Sequence, residues 1–532
     1  MSEITKSEYE VRLEKVHKLK QMGVIPYAQC FDKKNSIQDI KNKESEAKPV
    51  ENLMEKGAEN IFQTAGRMMS FRTHGKLTFA KILDGTGSIQ ICFVKGKFKL
   101  NTGNNIVENL NDEGNEIDVY KFIDKFIDVG DFVGVKGDLF VTKHGELTIF
   151  VSEVQLLSKA LRPLPEKFHG LQDQEEIYRK RYLDMTMNEE SYKRFLFKSD
   201  FYKVLRDFYA KEGFTEIQTN ILGNAASGAA AKPFLTHHND YDLDVYLRIA
   251  FETALKKATV GRFEKVFEIG QDFRNEGSDP SHIQEFTQVE HYAVYRNYED
   301  NIKFTEKMFD WIFEKMGIDK KLKIKDKNGV EKEVDFTTPR ERIDYTKGIN
   351  DASGIDITKY NMDDADKLRK DIKDKGIDFE GMDKMGTTTL IDYLYKKVLR
   401  PKIIGPAFIY NYPVIMQPLA RTSDKDNQIV EQFQLLVNGR ELCKAYSELV
   451  DPLIQKENFD KQSEAAMKGD QDATSGDDDF LTAMEYGMPP QSGFGMGLER
   501  VLAILTGQEN IRDVVMFPLM KPIIEKELGT GN

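Results

Sequence analysis

The chain has 532 residues and a formal net charge of −12. At roughly 150 residues per domain it holds two to four domains, and its acidic balance excludes a broad basic surface that coats nucleic acid or DNA non-specifically, while leaving local contact with a structured RNA open. A polar start (MSEITKSEYEVRLEK), no apolar run near the roughly 18 residues that span a bilayer, and three scattered cysteines (Cys30, Cys92, Cys443) predict no export, no membrane span, no disulfide framework and a reducing cytoplasm.

Tyr9, Leu13, Val16, Leu19 and Met22 recur at helical steps before Gly23 and Pro26, so residues 1–60 are expected to form an N-terminal helical extension with a solvated charged face. Over 61–160 the texture changes to short alternating strands: TAGRMMSF, LTFAKILD, SIQICFV, DFVGVKGDLF and ELTIFVSEV. Five strands in this span suggest a small barrel, either an OB-fold that binds oligonucleotides or a barrel with a packed core and no ligand. NTGNNIVENLNDEGNEIDVYKFIDKF reads as an insertion between strands three and four, and 161–187, with Pro163 and Pro165, as a linker.

A second domain is expected over 188–525. It opens with the amphipathic helix KRFLFKSDFYKVLRDFYAKEG, capped at Gly213, and continues as an α+β arrangement: a mainly antiparallel sheet flanked by helices. Residues 317–385, dense in Lys and Asp, are expected to be a peripheral insertion, and KGDQDATSGDDD at 468–479 an acidic mobile loop.

Four stretches carry chemistry. In VFEIGQDFRNEGSDPSHIQEFTQVEHYAVY, two strands flank a charged loop, and period-two geometry places Phe286, Gln288, Glu290 and Tyr292 on one face. The loop adds Arg274, Glu276 and His282, so the hairpin is either a solvated charged tip or one wall of a groove for an anion, a base ring and an amine. In QSGFGMGLERVLAILTG, Gly493, Gly495 and Gly497 lead into a helix carrying Glu499 and Arg500, with too little chain left for a dinucleotide-binding domain. EQFQLLVNGRELCKAYSELVDP reads as a hairpin turning at Asn438-Gly439; strict alternation groups Lys444, Tyr446 and Glu448, and Glu441 joins them only through a bulge. Finally, Gly228 to Ala231 would admit a ligand close to the backbone, and RIAFE places Arg248 and Glu252 at a helix start, where Glu252 is either a buried cap or a binding group.

FRNEG followed by EFT and E-x-Y resembles motif 2 of class II aminoacyl-tRNA synthetases, and the glycine strand with Arg500 resembles motif 3. LRPLPEKFHGL-x-D and YRKRYLD are similar to the connector of the lysyl-tRNA synthetases, and the resemblance runs from about residue 62 to 522. It implies an ATP-dependent ligase, a cytoplasmic homodimer, that joins L-lysine to tRNA(Lys) through lysyl-adenylate with Mg2+. Arg274, Glu276, His282 and Arg500 would act on the nucleotide, with Phe286 under adenine and Glu441 and Gly497 in the ATP site. Gly228, Glu252, Arg274, Glu290, Tyr292, Lys444, Tyr446, Glu448 and Gly493 would hold lysine, and Arg72, Phe79, Gln90 and Glu146 the anticodon.

The chain departs from the family at four positions. Gln434 stands where a second magnesium-binding glutamate is usual, Lys444 where an asparagine contacts the substrate, Asn220 where motif 1 ends in proline, and Phe251 for the proline of RIAPE. Lys444 is expected to pair with the substrate carboxylate. The rival readings are an aspartate or asparagine enzyme of the same subclass, which would need basic partners in place of Glu290 and Glu448, and a tRNA-binding protein with a degenerate site.

Overall fold

The computed structural model describes residues 6–57, 59, 61–165, 171–225, 227–229, 231–325, 329–416, 420–467 and 477–523, with backbone only over 461–467. Residues 166–170 of the connector and 468–476 of the acidic loop lie outside the described residues. The chain divides into two compact units, Met1–Gly170 and Leu171–Asn532.

The first unit is a closed five-stranded barrel. Strands β1 (Phe62–His74), β2 (Leu77–Asp84), β3 (Gly87–Val94), β4 (Phe132–Val141) and β5 (Leu147–Ser158) pair in the order β1-β2-β3-β5-β4, and β4 returns to β1. Closure leaves no free edge within the ring. Helix α1 (Glu8–Gln21) begins in a capping box, in which Ser7 accepts from the Glu10 N–H and Glu10 accepts from the Ser7 N–H. Leu19 of α1, with Val24, Ile37 and Ile40, packs into the same core as Ile82, Ile91 and Val133, so the N-terminal segment and the barrel share one interior. Helix α2 (Val119–Phe126), inside the expected insertion, buries Phe122, Ile123 and Phe126 there too. Its apolar positions recur at helical spacing and therefore line one face.

The second unit is built on an eight-stranded sheet. Long helix α3 (Glu189–Lys211) leads into β6 (Thr215–Glu216); α4 (Glu252–Val260) precedes β7 (Lys265–Phe273), β8 (Glu285–Val294) and α5 (Tyr298–Met316). Then follow β9 (Glu341–Asp344), β10 (Ala407–Pro413), β11 (Ile429–Val437), β12 (Arg440–Ser447), β13 (Gln491–Gly497) and α6 (Leu498–Leu505). The spatial order is β6-β7-β8-β13-β12-β11-β10-β9, antiparallel except for the β6–β7 and β10–β9 pairs.

Period two assigns the faces. On β8, Val289 and Ala293 point into the core beneath α3 and α5, where Phe208, Phe304, Met308 and Phe309 meet Phe494, Phe433 and Ala445. Burying each of these large side chains contributes on the order of 1.5–3 kcal/mol. The opposite face of the same strands is left for chemistry.

The peripheral reading of 317–385 is corrected by this packing. Strand β9 is an edge strand of the main sheet, Ile324, Val334 and Phe336 enter the main core, and Tyr345, Ile349, Ile355, Leu368 and Ile372 form a further core with Leu390, Leu394 and Leu436. Abundant Lys and Asp obscured the pattern because the short elements here each bury only a few residues.

Candidate active site

The free face of the sheet forms the floor of a cleft of about 370 Å³, within the usual range for small-molecule sites. Its centre is bare backbone. Gly493, Gly495 and Gly497 alternate toward the cleft on β13 while Phe494 and Met496 point into the core. Gly493 lies between Tyr292 and Tyr446 in the ladder, Gly495 between Glu290 and Lys444, and Gly497 beside Gln288. A Cβ on Gly493 would come within 2.2 Å of Glu448 Oε1 and 2.5 Å of Tyr292 Cε1, so only glycine fits with those two side chains in place.

Phe286, Gln288, Glu290 and Tyr292 of β8 all face this cleft. Arg274, at the end of β7, lies with its guanidinium carbon 5.0 Å from the centre of the Phe286 ring, and its Nε donates to the Ile249 carbonyl at 3.2 Å. Glu276 and His282 line the cleft from the connecting loop, where His282 Nδ1 sits 2.8 Å from Asp279 Oδ2. Arg500, in the first turns of α6, donates to the carbonyls of Ser281 and Glu441 at 3.4 Å each, tying the helix to both walls. Its neighbour Glu499 accepts from the Thr287 N–H at 2.8 Å and pairs with Lys198 at 3.1 Å, anchoring α6 at the margin of the cleft.

The ladder between β11 and β12 contains the required bulge. Leu435 pairs with Cys443 but Leu436 pairs with Glu441, so Leu442 is the extra residue. The slip brings Glu441 onto the face of Lys444 and Gln434, and all three line the cleft. Gln434 is Lys444's direct cross-strand partner, and its amide oxygen accepts from Tyr412 Oη at 2.7 Å. Burial pulls the Lys444 pKa below the usual lysine value, opposed by the charges of Glu441, Glu252 and Glu448 and reinforced by Arg274. As a test of fit for magnesium, Mg2+ is commonly held by one or two carboxylates plus substrate phosphates. Glu441 supplies one, and its carboxylate accepts no hydrogen bond from the described residues, so the donor set fits an ion that arrives with a nucleotide. No group of three acidic, His or Cys side chains suited to a metal occurs among the described residues.

The closed end of the cleft is acidic. Glu252, first residue of α4, accepts from Lys256 at 2.6 Å and from Tyr446 Oη at 2.9 Å. Lys256 also pairs with Glu448, whose carboxylate lies buried over the bare backbone of Gly493, on the cleft side of β13. Burial pushes Lys256 down, but Glu252 and Glu448 outweigh it and hold its pKa above the usual value. Burial raises Glu448, with Lys256 pulling it back. Glu290 is raised by burial and by the charges of Asp272 and Glu252; one of its oxygens accepts from Gln288, while Oε2 is buried without a hydrogen-bond partner among the described residues.

Behind this wall, Arg248 donates to Glu268 at 2.7 Å and to the Gln271 carbonyl at 2.8 Å, and stacks 4.6 Å from the Phe251 ring centre. Phe251 in turn packs on Tyr292, so a ring at this position braces the tyrosine. Gly228, with φ of +89°, brings its backbone against Glu252, where a Cβ would lie 3.0 Å from the glutamate Cβ.

In the first unit, register places the four expected RNA-contacting residues on one face. Arg72 pairs with Phe79, Phe79 with Cys92, and Gln90, two residues away, with Thr148, two residues beyond Glu146. Gln90 Nε2 donates to Thr148 Oγ1 at 2.8 Å, while Arg72 and Glu146 are exposed.

Sequence reading assigned no role to Lys256, although its four-residue step from Glu252 on one helix face was a usable signal. Asp272 was also missed: it is fully buried on the cleft side of β7, 3.5 Å from Arg248, and burial raises its pKa to about 7. Its cross-strand pairing with Phe286 was the available clue.

Comparison with known proteins agrees with both units. A family described as "OB-fold nucleic acid binding domain" matches residues 62–157, and "tRNA synthetases class II (D, K and N)" matches 173–521. The chain is 40% identical over 524 residues to a lysine–tRNA ligase of Thermosipho africanus, covering 97% of each chain. It is 39% identical to that of Carboxydothermus hydrogenoformans, covering 96% of this chain and 98% of the other. To that of Campylobacter jejuni it is 40% identical, covering 96% and 97%. With a glycine-floored cleft on an antiparallel sheet, and a match to the family that takes in most of its length, the chain belongs to the class II tRNA synthetases of the D, K and N group.

Proposed function

We propose that this protein activates L-lysine with ATP to lysyl-adenylate and transfers the lysyl group to the 3′ end of tRNA(Lys). The observation that carries the choice of amino acid is the unpartnered, buried Oε2 of Glu290 at the acidic end of the cleft. A buried carboxylate oxygen without a donor is costly unless a ligand supplies one, and an ammonium does so with opposite charge. Glu252, Glu290, Glu448 and Asp272 outnumber Lys256, Lys444 and Arg274 there, which leaves room for further positive charge. An aspartate or asparagine side chain would require the reverse.

The chemistry is in-line. A carboxylate oxygen of lysine attacks the α-phosphorus, the new O–P bond forms as the bond to pyrophosphate breaks, and pyrophosphate leaves with the electron pair. A terminal ribose hydroxyl of the tRNA then attacks the carbonyl and AMP leaves. Such transfer depends on positioning and charge more than on a base. Arg274 holds the carboxylate and α-phosphate together, Phe286 stacks on adenine, Glu276 and His282 orient the nucleotide, and Arg500 meets the terminal phosphate. Magnesium bound with ATP supplies further charge neutralisation, and Glu441 would hold it, Gln434 adding an amide oxygen at most. Glu290, Tyr292 and Glu448 hold the ε-ammonium, and Gly228, Glu252 and Tyr446 the α-amino end.

The anticodon face is that of Arg72, Phe79, Gln90 and Glu146, where base stacking on Phe79 contributes about 1–3 kcal/mol. A homodimer belongs to the same reading, supported by Leu222, Leu235 and Leu243, which stay exposed on the small sheet beside the cleft.

ATP–pyrophosphate exchange against each of the twenty amino acids tests the proposal. Exchange with lysine alone is expected; exchange with aspartate or asparagine would overturn the pocket assignment, and no exchange at all would favour the degenerate binder. Gly493→Ala is expected to raise KM for lysine about 100-fold with little change in KM for ATP, because the new methyl displaces Tyr292 and Glu448. Equal effects on both substrates would contradict this division of the cleft.

A further inference from the structure

The anionic triphosphate of ATP needs cations, and the cleft supplies an uneven set of groups to provide or recruit them. Fixed positive side chains are Arg274, Arg500 and Lys444 on three different elements. Acidic ligands for a divalent ion are sparse on the wall formed by β11 and β12. Glu441 is the carboxylate there, while Gln434 is uncharged and already accepts a hydrogen bond from Tyr412.

Lys444 occupies the remaining place on that wall. The bulge at Leu442 aligns it with Glu441, it lies directly across the ladder from Gln434, and on its other side is the bare backbone of Gly495. Its ammonium is 5.7 Å from the Tyr446 ring centre, attracted by Glu441, Glu252 and Glu448 and repelled by Arg274. Two cations that repel across one cleft are both relieved by an anion held between them, which is the arrangement expected of a phosphate site. A second divalent ion beside Lys444 would meet its charge at close range, on a wall where Glu441 is the carboxylate lining the cleft among the described residues.

We propose that Lys444 is a fixed phosphate-binding cation that takes the place of a divalent ion, so that nucleotide is held by Arg274, Lys444 and Arg500 with a single metal position at Glu441. The inference rests on the ATP-dependent activity proposed above. A tethered ammonium loses no translational freedom when the nucleotide binds, so part of the affinity for ATP is independent of divalent ions.

The test is equilibrium binding of ATP to the full chain by titration calorimetry, in excess EDTA and in saturating magnesium, for the natural protein, Lys444→Asn and Lys444→Arg. The natural protein is expected to bind ATP in EDTA within about tenfold of its affinity in magnesium. Lys444→Asn should lose about tenfold or more in EDTA and much less in magnesium, whereas Lys444→Arg should keep metal-free binding. ATP binding by the natural protein only in magnesium would overturn the inference and leave the ATP reading intact; so would a Lys444→Asn loss that is the same in both conditions. No ATP binding in either condition would overturn both. Should Lys444→Asn fail to fold, the comparison of EDTA with magnesium for the natural protein and for Lys444→Arg still decides.

Discussion

Replacing Arg274 with alanine is expected to lower the rate of lysine-dependent ATP–pyrophosphate exchange by about 10³-fold, the range seen when a pre-positioned donor to developing phosphoryl charge is removed. The fold should survive. The guanidinium makes one hydrogen bond to a backbone carbonyl and stacks on Phe286, and its removal takes one of several cations from the buried Asp272 and Glu290. Removing a cation also weakens repulsion of Lys444, a partial compensation that Lys444→Asn combined with Arg274→Ala would remove. Rates from pyrophosphate exchange, with thermal unfolding as control, check this; a loss below about tenfold would show that Arg274 does not meet the reacting phosphate.

The second large effect is structural. Lys256→Met should destabilise the catalytic unit by about 3–5 kcal/mol at pH 8, because it strands Glu252 and Glu448 in the interior without their ammonium. The penalty depends on pH in a definite direction. Burial already raises the Glu448 pKa above the ordinary carboxylate value, and deleting Lys256 removes the main influence lowering it. A carboxyl whose folded pKa lies above its unfolded one favours the folded state below the unfolded pKa, and that contribution is lost as pH rises through the folded pKa. The gap between variant and natural protein should therefore narrow between pH 8 and pH 5.5, read as the difference in urea midpoints. A gap that stays constant would mean the two carboxylates are not buried as anions. Lysine binding should fall as well, since Tyr446 and Glu252 are set by the same ion pair.

Lys256 also marks where local pattern stops informing. The E-x-x-x-K step on α4 predicts an ion pair on a helix face, an arrangement worth a few tenths of a kcal/mol on a surface. Only the contact of α4 with Tyr446 and Glu448 makes it a buried three-charge cluster, and those residues lie nearly 200 positions away in the chain. The same holds for the stretch 317–385. Its helices and strands are short and rich in charge, and their few apolar residues form a core only in combination with Leu390, Leu394 and Leu436.

The alternation of Phe286, Gln288, Glu290 and Tyr292, the three glycines of β13, the five barrel strands and the helix stop at Gly213 were all legible from residue order, since a strand's faces and a chain's turns follow from backbone geometry over a few residues. Glu441 was legible as a conditional: alternation put it on the wrong face, and the bulge at Leu442 that returns it to the cleft exists because two strands pair with unequal numbers of residues, a property of the ladder and not of either strand alone. Which acids are paired, which oxygen is left waiting for a ligand, and which lysine is buried as a counter-ion were settled by tertiary contact, because charge energetics depend on distance and burial that no single segment encodes.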